Sequence, residues 1–279
     1  IGSATPAELG ASTGSLWNTT TGFNEQDLAL TEWWWQQGFL DHKLEVRLGK
    51  IDLSLLFDAY RFNSSNFFFL NQAFADNPTI PFPENGLGGV VALYPDEHWF
   101  LLLGTGDAEG RKTEIESKPE DVSAWFSAAT LGWRGGVGKF GEGLYQLTVW
   151  HSDRQSSSQR PSATGFSLVA QQELDHDWVA YARYALANEA ATNTRQLVTA
   201  GLVSEAPFGR DGDRFGMSLG WGAPHDRKLR SQWVAEMFYR LEPLGEFQVS
   251  PNVQLVVHPS RNPKSDLIAL FGIRGRLNF

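Results

Sequence analysis

Asp266-Leu267-Ile268-Ala269-Leu270-Phe271-Gly272-Ile273-Arg274-Gly275-Arg276-Leu277-Asn278-Phe279 is the stretch that decides the fold. Leu267, Ala269, Phe271, Ile273, Leu277 and Phe279 share one face, with Gly275 among them, while Asp266, Arg274, Arg276 and Asn278 occupy the other. A period of two belongs to a β-strand with one apolar and one polar environment. The pattern recurs upstream. Phe215, Met217, Leu219 and Trp221 oppose Arg214, Gly216, Ser218 and Gly220. Trp233, Ala235, Met237, Tyr239 and Leu241 oppose a face that includes Arg230, Gln232, Glu236 and Arg240. Helical spacing is scarce, so the chain is all-β.

The alternation marks thirteen strands: 28–38, 43–52, 87–94, 97–105, 123–134, 143–152, 164–173, 177–186, 196–206, 213–222, 230–242, 246–258 and 266–279. Many are near the length that crosses a bilayer at a barrel tilt, about 9–11 residues. Strands of soluble sandwiches are commonly shorter, about 5–6 residues. The apolar faces tend to end in aromatics such as Trp178, Tyr184, Trp221, Trp233 and Phe279, as interfacial girdles do. A soluble sandwich or a large lipocalin-like barrel is the competing reading. It leaves the repeated Arg and Glu of the second face without water, which a lumen supplies. Short turns (Pro95-Asp96, Leu174-Asp175-His176, Pro243-Leu244-Gly245) alternate with longer connections (53–86, 106–122, 152–163). That alternation assigns the short turns to the periplasm and the long loops to the outside. The expectation is a transmembrane antiparallel β-barrel in the outer membrane of a Gram-negative bacterium, facing lipid and lipopolysaccharide.

Composition removes other classes. The 279 residues hold no cysteine, which excludes disulfide scaffolds, thiolate metal sites and Cys nucleophiles. A formal charge of −9 argues against a nucleic-acid partner, and weakly favours cations over anions in any pore. No stretch approaches a membrane helix; Phe67-Phe68-Phe69-Leu70 is far too short. The N-terminal Ile1-Gly2-Ser3-Ala4 reads as a mature start, with any signal peptide already removed. Gly216-Met217-Ser218-Leu219-Gly220 has the spacing of a nucleophile elbow, but it lies inside a clean alternation rather than at a strand-to-helix turn. Gly135-Gly136-Val137-Gly138-Lys139 lacks the first Gly and the final Ser or Thr of a phosphate loop and reads as a turn. Asp211-Gly212-Asp213 lacks later calcium ligands, and Asp175-His176-Asp177 reads as a solvated turn. No cofactor or metal site is expected.

Leu30-Thr31-Glu32-Trp33-Trp34-Trp35-Gln36-Gln37-Gly38-Phe39-Leu40-Asp41, followed by Leu44-Glu45-Val46-Arg47-Leu48-Gly49-Lys50-Ile51-Asp52, resembles the carbohydrate-selective porins of the OprB type. Phe62-Asn63-Ser64-Ser65, His98-Trp99-Phe100-Leu101-Leu102-Leu103-Gly104 and the ending from Val253 onward continue the resemblance. It covers roughly residues 28–279; the Trp33–Trp35 run and the loop after Asp52 depart from it. The resemblance implies a sixteen-stranded barrel, so three strands would lie upstream of the thirteen. Counting back from Phe279 leaves residues 1–27 outside the cell, as a polar segment or extracellular loop, and the barrel as 28–279. A missing N-terminal part, through truncation, proteolytic nicking or a split polypeptide that leaves it on a separate fragment, restores even parity. A fourteen-stranded barrel, with a first strand inside Ser15–Asn24, is the alternative. Phe279 matches the C-terminal signature read by barrel-assembly machinery.

A sugar offers hydroxyls in its plane and C–H groups on its faces, so a sugar pore wants charged and amide hydrogen-bonding groups with an aromatic platform. If Glu32 faces inward, so do Trp34 and Gln36. The candidates are Glu32, Trp34, Glu45, Arg47, Arg183, Arg230, Glu236, Arg240, Arg274 and Arg276. The segment 53–86 exceeds a hairpin; in the porins it resembles, such a loop folds inward, which would put Asp58, Arg61 and Asn63 near the constriction. The expected function is passive diffusion of small polar solutes, mono- or oligosaccharides among them, without chemical conversion. A salt-bridge ladder that merely stiffens the wall, a barrel hydrolase using Ser218, and a plugged barrel acting as a partner scaffold are the alternatives.

Overall fold

The computed structural model describes residues 12–21, 30–111, 120, 122–175, 177–245 and 247–277. Thirteen strands run in chain order through one antiparallel sheet. They are β1 (Trp33–Phe39), β2 (Leu44–Ile51), β3 (Gly86–Leu93), β4 (Trp99–Asp107), β5 (Trp125–Gly136), β6 (Glu142–Ser152) and β7 (Ala163–Glu173). The sheet continues with β8 (Trp178–Ala187), β9 (Thr194–Ser204), β10 (Arg214–Pro224), β11 (Gln232–Leu244), β12 (Phe247–Val257) and β13 (Leu267–Leu277). Each expected strand has its counterpart. The largest departure is the first: residues 30–32 are not strand, and positions 28 and 29 lie outside the described residues. The cause is the partner. β2 pairs with β1 from Leu44 to Lys50, after which the chain turns inward, so nothing remains to pair with residues before Trp33.

Every strand presents one face outward and one inward. On β10 the outward residues are Phe215, Met217, Leu219 and Trp221; across the register stand Tyr239, Met237, Ala235 and Trp233 of β11. Two aromatic belts follow. Trp178, Phe215 and Tyr239 approach one another at one end, and Trp221 and Trp233 (6.5 Å between centroids) meet at the other. Phe215 and Trp221 are six residues apart on one strand, about 20 Å at the usual rise. That spacing suits the apolar band of an outer-membrane barrel. The connections 40–43, 94–98, 137–141, 174–177 and the longer 205–213 leave the sheet at the Phe215 end, and 52–85, 108–124, 153–162, 188–193 and 225–231 at the other.

The inward face is not uniformly polar. Val179, Leu197, Val203, Val234, Phe238 and Val256 are buried there beneath Phe62, Phe69 and Phe74 from residues 52–85. A second cluster joins Phe57 and Ile80 to Val90, Phe126 and Trp150. Inward glycines make the room: a Cβ on Gly104 would lie 2.6 Å from Phe57, and one on Gly220 would lie 3.1 Å from Phe74. Residues 15–21, the described part of the stretch weighed as a fourteenth strand, form no strand. They cross the inner wall instead. Leu16 N–H donates to Gln232 Oε1 (2.8 Å), Trp17 Nε1 donates to Thr194 Oγ1 (3.0 Å), and Thr19 O accepts from Gln254 (2.8 Å). The Trp17 ring occupies the space that Gly222 leaves.

Among the described residues β1 and β13 each have a strand on one side only. Phe271 and Ile273 on β13 are 83% and 75% exposed.

The turn before β10 is held by one carboxylate. Asp213 accepts from Arg210 Nε (2.6 Å), Tyr239 Oη (2.9 Å) and the Glu242 N–H (2.9 Å). Burial alone would push its carboxyl up, but these three donors outweigh it and hold the group below its ordinary range. A depressed value contributes stability above the unfolded carboxylate range, and that contribution is lost as pH falls through the folded value. Asp213→Asn is therefore expected to destabilise the detergent-solubilised barrel at pH 7 by about 1–2 kcal/mol. The gap should close as pH falls below about 4. Heat-modifiable gel migration at pH 7 and pH 3 reads both; an equal gap at the two pH values would refute the assignment.

Candidate functional site: the inward loop and its wall

The chain enters the lumen at Asp52, whose side chain accepts from the Ser54 N–H (2.9 Å) and starts the descent. Phe57 fills the recess at Gly104, and Asp58 adopts a left-handed turn (φ 58°) that an aspartate tolerates. Its carboxylate then meets Arg183 of β8 at 3.3 Å, with both side chains almost fully buried (2% and 1% exposed). Arg183 also donates to Ala73 O (2.6 Å) and Asp76 O, and Asn77 Nδ2 donates to Asp58 (2.8 Å) and Ser167 (3.2 Å). One guanidinium thus ties three points of the loop to the wall. Tyr60 Oη donates to Phe74 O (2.5 Å); burial pushes its hydroxyl up to about 12, against the nearby Arg183 charge. Burial also raises the Asp76 carboxyl.

The next tether is a carboxylate. Glu236 of β11 accepts from the Leu70 N–H (2.6 Å) and the Asn71 N–H (2.9 Å), and from Asn252. Asn71 donates to Gln254 (2.9 Å) and caps α1 (Gln72–Ala75) by accepting from the Ala73 N–H (3.0 Å). Nearer the short turns, Arg61 pairs with Glu173 (3.1 Å) and with Glu205. Gln171 Oε1 accepts from the Arg61 N–H (3.0 Å), and Gln146 donates to Ala59 O (2.9 Å).

The expected residues fall into three groups. Asp58, Arg61, Arg183, Glu236, Arg240 and Arg274 meet at the loop, where Arg240 and Arg274 donate to loop carbonyls. Asn63 is half-buried in the loop, with its N–H on Tyr60 O (3.3 Å). Trp34, Glu45 and Arg47 form a separate cluster on the inner face of β1 and β2. Arg47 lies 4.3 Å over the Trp34 ring and donates to Gln36 (2.9 Å), which donates to Glu45 (3.2 Å). Glu32 stands just before β1, half-buried. Arg276 packs on Phe67 at 3.8 Å. Arg230 is not on the wall: it precedes β11 and binds Asp266 (2.9 Å), Asn262 O (2.7 Å) and Pro259 O (3.3 Å), fastening two loops together. Phe279 and His176 lie outside the described residues.

Sequence reasoning missed Gln146, Ser167, Gln171, Asn252, Gln254 and Tyr181. All sit at inward positions of alternating strands, so parity could have found them; charge was the filter that excluded them. Ser218 sits in mid-strand on the inner face, hydrogen-bonded to Tyr181 Oη (2.5 Å) and Ala200 O (2.9 Å). No turn sharpens it and neither neighbour is a base, so it is not an elbow nucleophile.

A family sequence model described as "Carbohydrate-selective porin, OprB family" matches residues 2–279. The chain belongs to that family. It is an outer-membrane β-barrel protein of a passive-channel family, not an enzyme. Porin AaxA of Chlamydia abortus (strain DSM 27085 / S26/3) is 21% identical over 259 residues, covering 89% of this chain and 57% of the relative. Porin AaxA of Chlamydia pneumoniae is also 21% identical, over 267 residues, covering 92% of this chain and 60% of the relative. The chain therefore spans little more than half the length of these relatives. Pseudomonas putida OprB at high pH superposes with a TM-score of 0.77 at 16% identity, covering 95% of this chain and 77% of that one. Its low-pH structure superposes at 0.58 and 17% identity, covering 88% and 66%. These likenesses carry the fold.

Arg183→Met leaves the Asp58 carboxylate buried without its countercharge, at an expected cost of about 3–5 kcal/mol. The loop should detach before the strands do. Trypsin is expected to cut folded Arg183→Met at Arg61 at least tenfold faster than the parent protein, and Asp58→Asn in the same chain should recover part of the protection. Unchanged cleavage in the folded variant would show that the pair does not hold the loop.

Proposed function

We propose that this chain forms most of the wall and the inward constriction of a diffusion pore for small polar solutes, with sugars the favoured class. The observation that carries the reading is the open cluster of Trp34, Gln36, Glu45 and Arg47. An exposed indole beside a guanidinium, an amide and a carboxylate on a lumen wall offers a sugar face a platform and its hydroxyls both donors and acceptors. The family's description supports the same class. Weak binding at several such points, rather than one tight site, is what permits passage. Solutes would pass unchanged, as the match to a porin family supports.

The pore also needs closure. β1 and β13 are the first and last of thirteen antiparallel strands, so they run in the same direction. Antiparallel closure then takes an odd number of further strands; three would make the sixteen that the family resemblance implies. We assign those strands to polypeptide beyond the thirteen described, a separate fragment being one source. Lipid and lipopolysaccharide would cover the outer face, with assembly guided through Phe279.

Planar-bilayer recordings of the protein purified from outer membranes test the pore, with intact-mass analysis of every polypeptide present. Discrete conductances reversibly reduced by glucose or maltose are expected, with block weakened severalfold in Trp34→Ala as one stacking contact is lost. Silent bilayers with a heat-modifiable, folded barrel would refute diffusion and favour the plugged scaffold. A sealed barrel whose only polypeptide contributes thirteen strands would refute the closure argument.

A further inference from the structure

The inner wall of β10, β11 and β13 carries four guanidiniums that have no carboxylate oxygen within 4.0 Å among the described residues. Arg214 and Arg240 are direct cross-strand partners, as are Ser250 and Arg274. The pairs Phe238–Asn252 and Leu241–Val249 place Ser250 opposite Arg240, so Arg214, Arg240, Ser250 and Arg274 form one row across four strands. Arg276 lies two residues further along β13. Arg61, Arg183, Arg210 and Arg230 each have an acidic oxygen within 4.0 Å; Arg214, Arg240, Arg274 and Arg276 have none among the described residues.

What they touch instead is neutral. Arg214 donates to Asp213 O (2.7 Å) and Glu205 O. Arg240 reaches Phe67 O at 3.4 Å, and Arg274 donates to Phe68 O (3.0 Å) and Ser65 O. Arg276 stacks on the Phe67 ring. Arg240 is only 7% exposed and its Nε has no partner. The nearby acids act on the row only through space, Glu236 on Arg274 and Glu242 and Glu205 on Arg240, and their direct contacts go elsewhere. Glu236 holds the Leu70 and Asn71 amides, Glu242 accepts from Gln248 (2.6 Å), and Glu173 and Glu205 are taken by Arg61. Beside the row, along the edge of β13 that has no described neighbour, lies a cavity of about 600 Å³ whose lining includes Ser65, Asn66, Phe67, Ile273, Arg274 and Arg276.

Like charges gathered in a half-desolvated corner, one of them with an unmet donor, are costly unless an anion joins them. Guanidinium forks match the oxygens of carboxylate and phosphate. The rest of the cavity supplies hydroxyl, amide and an aromatic face, which suits a polyol. We propose that this corner is an acid-recognition site for a sugar bearing one carboxylate or phosphate group. Arg274 and Arg276, which line the cavity, hold the acid, Arg240 in the adjoining row adds its charge, and Phe67, Asn66 and Ser65 face the sugar body. The proposal deepens the pore reading and rests on it for its place in transport, but binding itself is measurable without conduction.

The test is calorimetric titration of the detergent-solubilised protein from outer membranes with glucuronate, glucose 6-phosphate, glucose and inorganic phosphate, run alongside bilayer block by the same solutes. Glucuronate and glucose 6-phosphate are expected to bind about tenfold more tightly than glucose at about 0.1 M salt, with the preference shrinking toward 1 M. Arg276→Gln should abolish the preference, and Arg240→Gln should do the same. Arg276 is only half-buried, so its variant keeps the test valid if the Arg240 variant misfolds, which heat-modifiability reports. Equal binding of all three sugars, or a preference that survives in folded Arg276→Gln and Arg240→Gln, overturns the site. Inorganic phosphate matching glucose 6-phosphate overturns the sugar part of the assignment. Conducting channels without acid preference would sink this proposal and leave the pore standing; acid preference in a non-conducting barrel would do the reverse.

Discussion

Inside a bilayer a backbone N–H or C=O has no water to turn to, and every other constraint on this chain follows from that one. Each strand must be paired along the apolar band, which sets the lengths of β5 to β13 and their strict chain-order pairing. The outward side chains must also be apolar, and this produces the period of two. On β10 the rule leaves Phe215, Met217, Leu219 and Trp221 outside, but says little about Gly216, Ser218 and Gly220 between them. The inner face is free to be small, polar or apolar as its contents require. That freedom is where this protein spends its individuality.

Residues 52–85 are those contents. They have almost no regular structure of their own, and α1 is a single turn. Such a segment is entropically costly to order and cannot persist in one shape without outside contacts. The wall provides two kinds. Phe57 and Phe74 enter recesses left by Gly104 and Gly220, and Phe69 meets Phe238 edge-on at 5.1 Å. Arg183 and Glu236 bind backbone carbonyls and amides from opposite signs of charge. Apolar filling and polar tethering alternate along the loop, so withdrawing it would expose both a hydrophobic cluster and two buried charges. Loop and wall behave as one packed unit rather than as a channel with a swinging lid.

The sequence made the sheet readable because lipid acts on every strand alike. Outward residues from Trp178 to Leu277 repeat one rule, and the strand ends fell within a few residues. The exception was β1, whose start depends on where β2 leaves the sheet, a tertiary fact absent from residues 28–32. The inward loop was legible through its length and the family resemblance, but its attachments were not. Asp58 and Arg183 are far apart in the chain, and no local pattern joins them. Val234 and Phe238 alternate with Gln232, Glu236 and Arg240 on one face of β11, and only a covering loop explains that mixture. Arg230 looked like a wall residue because it continues the parity of Gln232; the strand starts only at Gln232, and the side chain turns to the loop at 258–266 instead.

Charge shows most clearly why placement outweighs composition. The chain carries −9 overall, which taken alone favours cations. Yet Asp41, Asp96, Glu97, Asp175 and Asp211 stand at turns, in water and beyond the lumen. At physiological salt their fields fade within about 8 Å. Arg240, Arg274 and Arg276 stand instead on the inner wall, buried or part-buried, where a lower dielectric keeps their charge effective. The acids that could neutralise them are committed to Arg61, Gln248 and the Leu70–Asn71 amides. Arg240, Arg274 and Arg276 thus stand more than 4.0 Å from any described carboxylate oxygen, so what the inner wall attracts is decided by where each charge sits and not by the sum of −9.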